Sequence, residues 1–226
     1  MILDSYKLRQ LIFQIRYPDA FELWDRAGAV ARSLAKTWPE LKVIEGKPNH
    51  QMLQAPGVEV QVSLGMSTVT LKGLDSLESA KPLVASAFSA WRDELALEVA
   101  DRVSTRAIYS KVFSSIKAAN EELFSLGLTK WPSQKVFDQP IDSDLNTVDL
   151  GYKFEDESSF AFLRVYSERI TYNLEHDREY TEAPGVEEII CRLNIDFDRG
   201  LLGTVKLSSF RTEDWIRVLD IFFAET

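Results

Sequence analysis

Tyr6-Lys7-Leu8-Arg9-Gln10-Leu11-Ile12-Phe13-Gln14-Ile15-Arg16-Tyr17-Pro18 is the first periodic stretch of the chain. Leu11, Phe13, Ile15 and Tyr17 point to one side, and Gln10, Gln14 and Arg16 to the other. A two-residue period of this kind marks a half-buried strand. Pro18 ends it, because proline has no N–H to give to a ladder. Asp19 then caps a helix, with Glu22 three residues on completing a capping box. Leu23, Trp24, Ala27, Val30, Ala31, Leu34 and Trp38 recur at helical spacings, and Pro39 closes the helix. A strand passing directly into an amphipathic helix sets the fold as a mixture of α and β.

Outward from that unit, His50–Ala55, Val58–Leu64 and Thr68–Leu74 read as three short strands, the second alternating Val58, Val60, Val62 with Glu59, Gln61, Ser63. A helix follows from near Ser79 to Ala96, since Pro82 suits only a first turn. Its buried stripe is Val84, Ala87, Phe88, Trp91 and Leu95. The order then restarts. Arg102–Phe113 reads as a strand, Ser115–Leu126 as a helix ended by Gly127, and Trp131–Asn146 as a polar connection. Strands follow at Val148–Phe154, Phe160–Tyr166, Arg169–Leu174 and Glu188–Phe197. A last helix from Thr212 carries Trp215, Ile216, Leu219, Phe222 and Phe223. The expectation is an α+β fold, an antiparallel sheet with helices on one face. Residues 1–100 and 101–226 would form two strand-helix-meander-helix halves of one compact unit. The core would hold Phe13, Ile15, Trp24, Leu34, Val60, Val84, Trp91, Leu193, Ile195 and Leu219.

Composition narrows the function. Hydrophobic residues make up 45% of the 226, with 13 Phe, 7 Tyr and 5 Trp, so the core needs no disulfide or metal. Lys and Arg number 26 against 35 Asp and Glu, a net charge of -9. No basic stripe supplies counterion release, so nucleic acid is disfavoured as a partner. Cys191 is the one cysteine, and no apolar run approaches the ~20 residues of a membrane span. A reducing, cytoplasmic location without membrane contact is the expectation.

Nucleotide and hydrolase signatures are missing. Gly46-Lys47-Pro48 lacks the rest of a phosphate loop, and no Gly-x-Gly-x-x-Gly or Gly-x-Ser-x-Gly occurs. His50 and His176, the two histidines, read as surface residues. No cofactor is expected. Two constellations remain. Ile189, Cys191, Leu193, Ile195 and Phe197 share one face of a strand, which makes Cys191 an inert core thiol. The other face carries Arg192, Asn194, Asp196 and Asp198. Carboxylates at i and i+2 can share a hard cation, or can simply stand on a solvated face. Arg16, Arg102 and Arg106 form the second constellation. Guanidinium groups there can fork onto a phosphate, or onto acids such as Asp196 across the strands. Phe160, Phe162 and Tyr166 read as core rather than as a base-stacking platform.

These residues also carry a resemblance. Phe13-Gln14-Ile15-Arg16-Tyr17-Pro18 has the form apolar-x-Ile-Arg-Phe/Tyr-Pro, and a Trp38-Pro39 pair follows the helix. Arg102-Val103-Ser104-Thr105-Arg106-Ala107-Ile108-Tyr109 stands where an Arg-apolar-Gly-x-Arg-Tyr-apolar-Asn strand would be; both arginines match, the Gly, Tyr and Asn do not. Leu193-Asn194-Ile195-Asp196 matches a late Leu-x-Ile-Asp strand. In these features the chain resembles a sporadically distributed family of prokaryotic proteins of unknown function. The resemblance implies the order of elements and no activity; sporadic occurrence suits accessory genes such as defence or toxin–antitoxin modules. The leading expectation is therefore a non-catalytic binding or regulatory protein whose partner is another protein or a second copy of itself. The alternatives are a metal-dependent phosphoesterase or nuclease centred on Asp196 and Asp198, and a nucleotide or nucleic-acid sensor using the polar sheet face.

Overall fold

A computed structural model of the chain describes residues 5–128, 135–136, 139–140, 147–174 and 186–216. Strand β1 (Lys7–Arg16) leads through α1 (Glu22–Ala35) to a meander of β2 (Lys42–Lys47), β3 (His50–Ala55), β4 (Val58–Ser63) and β5 (Met66–Lys72). Helix α2 (Leu77–Glu94) follows. The second round is β6 (Val99–Phe113), α3 (Ile116–Ser125), a small pair β7 (Lys135–Val136) and β8 (Gln139–Pro140), then β9 (Asp149–Glu155), β10 (Ser159–Leu174) and β11 (Val186–Lys206). Residues 212–216 begin a further helix.

One nine-stranded sheet holds both rounds, in the order β2-β3-β4-β5-β1-β6-β11-β10-β9, with every pairing antiparallel. Each opening strand pairs with the last strand of its own meander, β1 with β5 and β6 with β11. The two opening strands pair with each other at the centre. The topology repeats about the β1–β6 seam.

Strand alternation assigns the faces. Leu11, Phe13 and Ile15 lie level with Ala107, Thr105 and Val103 of β6. Those in turn face Phe197, Arg199 and Leu201 of β11. On this side Phe13 lies parallel to Trp91 with centroids 6.3 Å apart and meets Phe88 edge-on at 6.2 Å. The α3 residue Asn120 accepts the Ser167 hydroxyl at 2.6 Å. Phe210 and Trp215 close over the same core. The helices thus cover one face, and a single buried cluster runs from Tyr6 to Ile216.

Of the expected core residues, Phe13, Ile15, Leu34, Val60, Val84, Trp91, Leu193 and Ile195 are buried, and Leu219 lies outside the described residues. Trp24 is 56% exposed and packs edge-on against Phe21, also exposed. The reason is local. Backbone N–H groups of Tyr17 and Ala20 bond to the carbonyls of Gly65 and Leu64, so the chain stays tied to the β4–β5 turn. The helix starts at Glu22 with no side-chain cap from Asp19, and Leu23 rather than Trp24 faces inward.

Other boundaries differ too. Ser76 caps α2 and puts Pro82 inside the helix. Strand β2 escapes the period-2 pattern because it is a bulged edge strand with Val43 and Ile44 exposed. Strand β10 runs unbroken through Ser167-Glu168, since the Ser167 hydroxyl is used twice, donating to Asn120 and accepting from the Val148 N–H at 2.8 Å. Strand β11 continues past Phe197 to Lys206, with Gly203 at φ 80° taking the shift of register after Leu202. No described helix is long and apolar enough to cross a membrane. His176 and residues 217–226, with the Phe222 and Phe223 expected on a last helix, lie outside the described residues, as does most of the Trp131–Asn146 connection.

Candidate functional site

The face turned away from the helices carries the polar positions of β1, β6, β11 and β10. Gln14 and Arg16 lie level with Ser104 and Arg102. Arg106 is opposite Asp198, and Ile108 opposite Asp196. Across β11, Asp196 faces Arg164, Asp198 faces Phe162, and Arg192 faces Glu168. Arg16, Arg102, Arg106, Arg192, Asp196 and Asp198 are therefore brought to one side of one sheet. The two constellations are a single surface.

Arg106 reaches past its register partner to fork onto Asp196, Nε to Oδ1 at 2.8 Å and Nη2 to Oδ2. Asp196 is 1% exposed, while half of the Arg106 side chain remains accessible. The Asp196 hydrogen bond holds the guanidinium pKa above its usual value. A second fork runs from Arg164 to Asp149 on β9, Nε to Oδ1 at 2.8 Å, and keeps that carboxyl below the usual range. Arg9 and Arg192 flank Glu168 at 3.2 Å and 4.0 Å. Asp198 has no such fork; burial outweighs the nearby Arg102 and Arg106 and pushes its carboxyl pKa up. Asn194 is fully buried beside Asp196, and neither amide atom has a hydrogen-bond partner among the described residues.

The aromatic residues are the largest departure from expectation. Phe160, Phe162 and Tyr166 stand on this outer face, not in the core, because Ala161, Leu163, Val165 and Ser167 are the positions of β10 that meet the helices. Phe160 lies over Gly200, its neighbour on β11, so closely that a Cβ there would overlap the ring. The Arg102 guanidinium sits 4.5 Å from the same ring. Phe162 leans on Gly151, and Arg164 covers Tyr166 at 4.6 Å. These rings are held flat by glycine backbone or capped by cations.

No protein-family model matches the chain, and no curated protein matches it. What the site can do is read from the geometry alone. Cys191 faces the helices, is buried, and takes no part in this surface. Among the described residues no three His, Cys, Asp or Glu side chains are grouped to hold a metal ion. Sequence patterns identified the Arg and Asp positions by alternation within each strand. They missed Arg164, Asp149, Glu168 and Arg9, whose roles depend on which strands are neighbours. The alternation Phe162-Arg164-Tyr166 was the available signal for the first of these.

Proposed function

We propose that the chain is a non-catalytic binding protein that takes its partner on the sheet face that no described helix covers, called the uncovered face below. The partner is another protein, and the setting is a prokaryotic accessory system of the defence or toxin–antitoxin kind. One observation carries this reading. Asp196, the carboxylate best placed to anchor a metal, gives both oxygens to Arg106. Two acids that would have to converge on a cation are thereby separated in role, one ion-paired and one held half-buried with its pKa raised. The nucleobase-platform alternative is disfavoured because Phe160 and Tyr166 already carry guanidinium groups on their rings. The setting rests on the family resemblance.

Co-expression with the products of adjacent genes tests it. Co-purification is expected to fail for Thr70→Glu and Arg164→Glu, which change the uncovered face. It should survive Glu22→Lys on the helix side. Retention by both face variants would contradict the reading.

A further inference from the structure

Arginines on the uncovered face are of two kinds. Arg106, Arg164, Arg9 and Arg192 each lie within 4.0 Å of an acid. Among the described residues Arg16 and Arg102 have no ion pair, and they are register partners on the central strands β1 and β6. Like charges directly opposite on a sheet destabilise it. Both side chains are diverted. Arg16 Nε donates to Gln14 Oε1 at 3.3 Å, and Arg102 lies over Phe160 with its Nε buried and without a hydrogen-bond partner.

Resting on the reading that this face is the binding surface, we propose that Arg16 and Arg102 receive a phosphate monoester. One guanidinium fork saturates the two oxygens of a carboxylate, as Arg106 does for Asp196. Two unpaired guanidinium groups on register-partner positions instead suit a group with three terminal oxygens and up to two negative charges. Phe160, seated on Gly200, holds the Arg102 guanidinium over its ring. Gln14, on the same face, holds Arg16 through its amide oxygen and is itself anchored by donating its amide nitrogen to Thr68 Oγ1 at 3.2 Å. Asp198, the register partner of Arg106 and also within electrostatic reach of Arg102, bounds the site on its β11 side. With a net charge of -9 the protein does not draw anions from a distance, so recognition is short-range.

The test is thermal melting with calorimetry at constant ionic strength, using inorganic phosphate, O-phosphoserine and adenosine monophosphate, with acetate as control. At least one monoester is expected to raise the melting temperature saturably, and acetate is not. Arg16→Gln and Arg102→Gln should each weaken that binding by about tenfold or more, the loss of one charge-assisted fork. Arg9→Gln should leave it unchanged. Preference for phosphoserine assigns the group to a phosphorylated protein segment, and preference for the nucleotide assigns it to a nucleotide; either supports the site. Without ligand, Arg16→Gln should raise the melting temperature by removing the repulsion, and a fall would overturn the proposal. So would the absence of saturable binding by all three monoesters, or binding by the combined Arg16→Gln, Arg102→Gln variant equal to that of wild type. If co-purification with a partner survives Arg16→Gln and no monoester binds, the phosphate site fails while the binding face stands.

Discussion

A methyl group at position 200 would occupy the space of the Phe160 ring, whose packing on bare backbone supports Arg102. Gly200→Ala is expected to cost about 1–3 kcal/mol, the range for forcing atoms into a filled site, as read by chemical denaturation. Trimming Phe160 to Leu in the same chain should return part of that loss. Asp198 offers a test in the opposite direction. Its folded pKa is raised by burial, so the folded state holds the proton more readily than the unfolded chain. The charge therefore costs stability above the folded pKa, and the cost fades as pH falls through it. Asp198→Asn should melt higher than wild type at pH 7, and the difference should shrink as pH falls into the ordinary carboxylate range, where the unfolded chain takes up the proton as well. Equal melting at pH 7 would contradict this. At this scale the polar residues of β1, β6 and β11 were legible, because alternation within a strand reports its facing. Asp196 was expected as an acid for the arginines and does pair with Arg106. Other pairs were not legible: Arg164 and Asp149 are 15 residues apart and meet only through the β9–β10 register.

Periodicity located most elements, and it failed where tertiary contacts override local signals. Asp19 and Glu22 have the spacing of a capping box, yet backbone bonds to the β4–β5 turn hold residues 17–20 off the helix. Ser167-Glu168 looks like a break, but Asn120 and Val148 satisfy the serine within the strand. Strand β2 has no buried face to leave a period in the sequence. Pro82 is the clearest conflict of local and tertiary preference. Ser76 accepts the Ser79 N–H at 3.2 Å and fixes the start of α2, which leaves the proline where an N–H would bond to the Glu78 carbonyl. The helix tolerates it because Leu77, Ala80, Val84, Ala87 and Trp91 bury its inner face. Pro82→Ala should raise stability by about 1–2 kcal/mol, less than the full helix-interior penalty because proline also restricts the unfolded chain. A thermal melt checks it, and a lowered melting temperature would show that the ring itself is needed for packing.

Two rounds of strand, helix and meander close into one sheet because β1 and β6 pair at its centre, and neither round supplies a sheet edge there. That junction places the Arg-bearing strands of both rounds side by side and makes one surface of residues that are 90 positions apart, as in the Arg106–Asp196 fork. The α+β class and the helices on one face follow from sequence periodicity. Alternation also assigns Arg16, Arg102, Arg106, Arg192, Asp196 and Asp198 to one polar face; which of them are neighbours does not follow, since strand order is a property of the whole chain. On the proposed reading Asp196 is a structural partner of Arg106 on a recognition surface rather than a metal ligand. A melting curve of wild type and Asp196→Ala, each with and without Mg²⁺ or Mn²⁺, tests it directly. The prediction is that Asp196→Ala loses about 1–3 kcal/mol of stability, as expected when a charged hydrogen-bond partner is removed from a partly buried pair, and that neither ion shifts either protein. A rise in melting temperature with metal that the substitution abolishes would contradict it.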